Sequence, residues 1–439
     1  MHAHRSNNAS KISTISLALS LVLSAGFAQA QANKPAAPAP TPPVNYWMDV
    51  ATFSMMGMDE MPQVQGLGGM MMRGMMNRTS HTGRDGRHAL GVGNFGQTKA
   101  MGAIGRQLDI AVYTRNQPSG TSATQTIPSA ANLGARPLHL VTPPRERLTG
   151  NSDEGSYPER PRGRILFYWG CSPVVKPGQP RILDMSKLSE QDYTNFMQGR
   201  RVTDRGARAE AGFAIWPNER ENSQIPRNSS IAGEHAVSGA GIPDDMRFTL
   251  GQNQDFMPSL GLQSSGAPTQ SVQLHWSALP TARAYLFNAF SAGQDGEKVL
   301  EMVMWSSSEQ PDPGTGLMDY IANGTIDQWL KEEVLLPPGQ TSCAIPEGIF
   351  AKAEAAMVQG IAYGNELNVV HPPRPSDPKA EWKPEWSVRV RNKSMALITL
   401  DPSGNMANTA DGQPTQHPRE EESKPKSRTG AVLRNLFRR

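Results

Sequence analysis

Glycine and proline punctuate this chain so closely that long helices have little room to form. Its 439 residues include 41 Gly and 36 Pro. Each Pro fixes φ and removes a backbone donor, and each Gly inside a helix costs about 1 kcal/mol relative to Ala. Short strands joined by turns tolerate such interruption, so the pattern predicts a mainly β protein. Hydrophobic residues make up 37%, low for a fully globular chain, which predicts structured domains with polar, unstructured ends.

The first thirty residues bear on the compartment. His2, His4, Arg5 and Lys11 give a polar, basic start, and Ile15 to Phe27 is a short apolar run. Ala28-Gln29-Ala30 supplies the small residues that a signal peptidase requires. The run is too short to span a bilayer, and no second long apolar run follows. No Cys marks the cleavage point, so no lipid anchor is expected. Residues 1–30 thus read as a cleavable signal, leaving a soluble protein in the periplasm or the medium. In such an oxidising compartment the two cysteines, Cys171 and Cys343, either bridge or remain two buried thiols, and their spacing does not decide. A bridge would close a long loop and contribute roughly 5 kcal/mol in the chain-entropy account.

Residues 31–45 form a Pro/Ala-rich linker. A first β-rich domain is expected over 46–198, carrying a Met/Gly-rich loop at 55–88. Within it Leu108 to Val112 alternates as a half-buried strand, and Leu138 to Val141 is another. Gly163 to Cys171 is apolar on both faces, as a central strand requires. Ser189 to Met197 reads as a helix capped by Ser189, with Asp192 in its first turn. Residues 199–270 form an irregular connector with weak strands at Phe213 to Trp216 and Met246 to Leu250.

The best-defined module spans 271–400. Strands are expected at Val272 to Trp276, Ala284 to Phe290, Val299 to Trp305, Thr341 to Ile345, Ala355 to Tyr363 and Trp386 to Val390. A helical insertion at 316–335 interrupts them. Leu317 to Ala322 reads as a brief helix, and Thr325 and Gln328 as a capping box opening a second one. Trp276 and Tyr285, followed by Ile345-Pro346 and the Ala362-Tyr363 strand, resemble a fibronectin type III-like sandwich over about 130 residues. That resemblance implies a β-sandwich used for display or binding, and it carries no catalytic residues. The fold class expected is mainly β: two β-sandwich-like domains with short inserted helices, a disordered N-terminal linker and a disordered tail at 401–439. The tail ends in a basic amphipathic segment, with Lys424, Lys426, Arg428, Arg434, Arg438 and Arg439 around Val432, Leu433, Leu436 and Phe437.

The densest chemical signal is methionine. Met55, Met56, Met58, Met61, Met70, Met71, Met72, Met75 and Met76 place nine thioethers within 22 residues. Soft thioethers select Cu(I), whereas the bland reading is an irregular apolar patch. Gly91, Gly93 and Gly96 match a dinucleotide-binding glycine pattern with Asp109 downstream. Neither a buried strand nor a helix flanks it, so a glycine-rich turn is the reading. His235, beside Glu234 and near Asp244 and Asp245, reads as a polar surface loop. No serine-hydrolase elbow or paired-His zinc motif occurs. Trp169, Trp216, Trp276, Trp305 and Trp329 read as core. A formal charge of +3, with no basic stripe carrying aromatics, argues against nucleic acid. The C-terminal segment either touches anionic lipid weakly or is solvated.

These features together predict an exported, non-enzymatic binding or scaffolding protein of the cell envelope, with an envelope protein or surface ligand as partner. The alternatives are a periplasmic Cu(I)-binding protein using the methionine loop, and a secreted hydrolase whose site is assembled only in space. No cofactor besides Cu(I) is suggested.

Overall fold

Sixteen strands and two short helices form among the described residues of the computed structural model, which are 41–56, 95–99, 104–117, 120, 122–134, 136–143, 163–185, 189–295, 299–377 and 379–400. In the first half lie β1 (Val44–Met56), β2 (Gly105–Thr114), β3 (Ser122–Thr126), β4 (Leu138–Val141), β5 (Gly163–Trp169) and β6 (Arg181–Asp184). The middle supplies β7 (Ala214–Trp216), β8 (Gly233–Gly239), β9 (Arg247–Leu250) and β10 (Gln263–Ser265). Then come β11 (Val272–His275), β12 (Ala284–Asp295), β13 (Val299–Ser306), β14 (Ser342–Ile345), β15 (Ala353–His371) and β16 (Trp386–Leu400). The helices are α1 (Glu190–Phe196) and α2 (Asn323–Lys331).

Thirteen strands join one mixed sheet in the order β6-β5-β13-β12-β15-β16-β1-β2-β7-β4-β3-β8-β9, and β10-β11-β14 form a small sheet. Two pairs are parallel, β1 with β16 and β5 with β13. Strands from the 46–198 and 271–400 segments therefore interleave in one sheet, and the 199–270 stretch adds β7, β8 and β9 to it.

Alternation along β12 shows how the first core is built. Tyr285 and Phe287 face one side, and Ala284 and Leu286 the other. On the first side the small sheet packs against β13-β12-β15-β16, through Val272, Leu274, Trp276, Ile345, Val303 and Val358. This two-layered arrangement is β-sandwich-like. On the other side α2 covers the sheet, with Ile326 and Trp329 packed among Phe53, Met357 and Leu397. A sheet covered on both faces needs strands apolar on both faces, which β5 and β12 are.

A second core uses the other halves of the same long strands. Val44, Tyr46, Met48 and Val50 of β1, Val388 and Val390 of β16 and Val369 of β15 pack with Leu140 of β4, Val237 of β8 and Phe248 of β9. The sheet curls to do this. Tyr46 of β1 donates its hydroxyl hydrogen to Gln125 of β3 at 2.9 Å, and its ring lies 5.1 Å from that of Phe248. A register shift in β15 between Tyr363 and Glu366 marks the passage from one core to the other.

The helices show where local signals hold. Ser189 caps α1, and Asp192 completes a reciprocal capping box. The insertion departs from expectation: Leu317 to Ala322 contributes only the end of a single 3-10 turn (Thr315–Leu317), and α2 starts at Asn323 with Thr325 and Gln328 inside it. The cause is tertiary. The Asn323 amide donates to the Glu366 carbonyl at 2.8 Å and accepts from the Glu366 N–H at 2.9 Å, which docks the helix start on β15. No helix among the described residues is long and apolar enough to cross a membrane.

Candidate functional site

Strand register builds a buried ionic cluster at the junction of the two cores. Asp49 on β1 lies opposite Arg391 on β16 and opposite Asp109 on β2, so the three side chains form a row across neighbouring strands. Arg391 donates from Nε and Nη2 to the two Asp49 oxygens, each at 2.7 Å. The Ala207 N–H adds a third donor to Asp49 at 3.0 Å. Asp319 sits 3.8 Å from Arg391 Nη2. The Tyr320 ring lies 4.4 Å from the Arg391 guanidinium and 4.6 Å from the Lys393 ammonium, a double cation–π contact. The Tyr320 hydroxyl donates to the Val50 carbonyl at 2.9 Å, and Lys393 donates to the Met318 carbonyl at 3.0 Å. At the edge of the cluster Lys99 pairs with Asp204 at 2.9 Å.

Burial and neighbouring charges divide these groups. Burial pushes the Asp109 carboxyl up to about 6, against hydrogen bonds from Thr98 and Gly96, while Asp49 raises it further. Burial lowers the Lys393 ammonium to about 8, with Asp319 opposing that shift. Burial also disfavours charge on Arg391, but Asp49 and Asp319 outweigh it and hold the guanidinium above its ordinary range. Asp319 is desolvated too, yet Arg391, Lys99 and Lys393 keep it below the ordinary carboxylate range. Perturbed groups can mark an active site, but structural ion-pair networks perturb pKa values as well. Here the charges pair with one another and with backbone groups, apart from the buried Arg391 Nη1, which has no hydrogen-bond partner among the described residues, and the arrangement reads as a lock between the cores.

A second cluster lies at the surface. Asp245, His371 and Glu385 each offer one donor atom, and all three atoms lie within 4.8 Å of one another. His371 ends β15 and Glu385 immediately precedes β16, while Asp245 belongs to the turn between β8 and β9. The His371 ring stacks on Trp386 with centroids 4.7 Å apart and planes 9° from parallel. The Glu385 N–H donates to the His371 carbonyl at 2.7 Å.

A third feature is a cross-linked corner. Cys171, just beyond β5, and Cys343 on β14 form a disulfide that ties the small sheet to the large one. The Ser172 N–H donates to the Ala344 carbonyl at 3.0 Å and extends the contact. Glu309 accepts from the Cys171 N–H at 3.1 Å and pairs with Lys176. Beyond this corner Val174 is 59% exposed, Val175 38% and Ile182, on edge strand β6, 58%.

Of the residues that the sequence singled out, Met55 is half-buried against the α2-side core, and Met56 is the last residue of β1. Met58, Met61, Met70, Met71, Met72, Met75 and Met76 lie outside the described residues, as do the signal and the basic C-terminal segment. His235 corrects its reading as a surface group. It is buried on β8, bonded to Gln125 at 3.1 Å and to the Ile231 carbonyl at 2.8 Å, and stacked on Phe248. Gly96 sits in a turn and donates its N–H to Asp109 at 2.8 Å, which gives that acidic residue a structural partner. Trp216, Trp276, Trp305 and Trp329 are core, and Trp169 packs at a core margin. Sequence reading missed Arg391 and Lys393, because the run Arg391-Asn392-Lys393-Ser394 interrupts alternation and ends the visible strand at Val390. It also missed the meeting of Asp245, His371 and Glu385, which only folding creates.

No protein-family model matches the chain, and no curated protein sequence matches it.

Proposed function

We propose that this chain is an exported binding protein of the cell envelope that offers the disulfide-linked corner to a protein partner. The carrying observation is the exposure of Val174, Val175 and Ile182 within a nine-residue stretch beside the Cys171–Cys343 bridge. Scattered apolar side chains on a surface need no explanation, but a group of them on a rigid support is what an interface core requires. The signal-like N-terminus, the disulfide and the sandwich architecture support the same reading.

The test is a photo-crosslinking residue placed at Val174 or Ile182 in intact producing cells, with Lys383, far more exposed, as control. The expected result is one discrete adduct with a different protein at both corner positions. It should be absent at Lys383 and abolished by Val175→Asp. Equal adducts at all three positions, or none at the corner, would overturn the proposal.

A further inference from the structure

Two carboxylates and an imidazole converge where the end of the large sheet approaches its middle. Asp245 is held in a tight turn, because Met246 is fully buried, its N–H bonds to the Pro243 carbonyl at 3.1 Å and its carbonyl accepts from Val237 at 3.0 Å. His371 and Glu385 stand at the open end of the β15–β16 pair, where His371 is in register with Trp386. Stacking on Trp386 fixes the His371 ring plane, and His371 Nε2 comes within 3.7 Å of Asp245 Oδ2. The three donors are therefore carried by anchored backbone rather than by free loops.

Charge is unbalanced here. Among the described residues neither Asp245 nor Glu385 pairs with Lys or Arg. Of the basic residues adjacent in sequence, Arg247 pairs with Glu234 at 3.1 Å, Lys383 pairs with Glu381 at 2.8 Å, and Arg374 lies over the Trp382 ring at 5.7 Å. Two carboxylates and an imidazole that converge this closely are a donor set that suits a divalent cation. Zinc bonds of about 2.0–2.2 Å imply ligand atoms about 3.4 Å apart, and the three donors lie within 4.8 Å of one another. An imidazole donor selects zinc-class ions over calcium or magnesium, which favour all-oxygen sets.

We propose that Asp245, His371 and Glu385 form a three-ligand site for a zinc-class divalent cation. A solvent oxygen completes the coordination. The ion staples the β8–β9 turn to the β15–β16 hairpin, closing the curled sheet over the second core. The site is independent of the disulfide corner.

Calorimetric titration of the full chain with Zn²⁺, followed by Co²⁺ absorption spectroscopy, tests this. Asp245→Asn and Glu385→Gln keep side-chain shape and should leave the near-UV circular dichroism unchanged. His371→Ala removes the imidazole. The expected result is one zinc per chain, a visible Co²⁺ band, and affinity reduced on the order of tenfold or more in each variant. Excess Ca²⁺ or Mg²⁺ should not displace the zinc. Failure of the full chain to bind zinc overturns the proposal, and so does affinity unchanged in both carboxamide variants, which would locate the metal elsewhere.

Discussion

Asp49 and Arg391, 342 residues apart in sequence, face each other on the parallel pair β1–β16 and close a two-pronged ion pair with both contacts at 2.7 Å. Both are buried. Removing one partner would strand the other's charge away from water, which typically destabilises by about 3–5 kcal/mol. Arg391→Met should therefore lower the urea midpoint markedly. The double variant Asp49→Asn/Arg391→Met should recover part of the loss, because it leaves no stranded Asp49 carboxylate. A loss below about 1 kcal/mol in the single variant would remove the pair from any structural role.

Gly206 reports on the same pair sterically. A Cβ there would fall 1.6 Å from Arg391 Nη2 and 2.2 Å from Asp49 Oδ2, and neither buried group has space to retreat. Gly206→Ala should destabilise by about 3 kcal/mol or more. Gly324→Ala is the control, since nothing lies within 4 Å of its Cβ position. It should be neutral or stabilising by under about 1 kcal/mol. Equal thermal midpoints for the two variants would contradict the packing described around the pair.

The shifted groups give the pH profile a definite shape. Asp109 is raised from 3.8 to about 6, so its contribution is full below about pH 4 and lost as pH rises through 6. Lys393 is lowered from 10.5 to about 8, so its contribution is present above about pH 10.5 and lost as pH falls through 8. Each window spans roughly 3 kcal/mol. Between pH 6 and 8 both groups are charged, and neither contributes. His235 is lowered by burial, so its contribution is lost as pH falls below its ordinary range, opposing the gain from Asp109. Urea midpoints should separate these effects. Lys393→Met should flatten the rise between pH 8 and 10.5, and Asp109→Asn the fall between pH 4 and 6. Asn at 109 also gives up an acceptor for Thr98, which offsets the curve without changing its slope. Parallel wild-type and variant curves would refute the assignment.

Cys171 and Cys343 enclose 172 residues of separation. Changing both to Ser should lower stability by about 2–5 kcal/mol. The change should be local as well as global, because β14 pairs with β11 at the point where the bridge attaches. Amide exchange of Val272 to His275 and Ser342 to Ile345 should accelerate before that of β15. Unchanged protection of the small sheet would show that its packing holds without the bridge.

The sequence made the apolar strands visible. Leu108 to Val112, Gly163 to Trp169, Val272 to His275 and Val299 to Trp305 all lie on strands, because their periodicity follows from one buried face or two. It hid the polar ones. Ser122 to Thr126 carries no apolar alternation, yet forms β3, since Gln125 finds Tyr46 and His235 as buried partners. Gly233 to Gly239 reads as a loop for the same reason. Arg391 to Ser394 sits in mid-strand only because acids from distant segments meet it there. Polar groups are buried when partners exist, and partners separated by hundreds of residues leave no local trace. The same holds for Asp245, His371 and Glu385. The two cysteines stand out, but their spacing leaves the bridge open until folding brings Cys171 and Cys343 together, and the nearby exposed valines and isoleucine are not legible at all.

The adjacency of β1 and β16 makes the protein a chain whose opening strand waits for its closing one. During any N-first emergence, β1 carries an unpaired edge until residues 386–400 arrive more than 300 positions later. Until then Asp49 has no guanidinium, and both cores lack a wall. Among the described strands, the pairing of the large sheet is thus completed at β16. A chain interrupted short of Trp386 would offer its bare edge to proteases or to chaperones, while a finished one would seal itself in a single closing step.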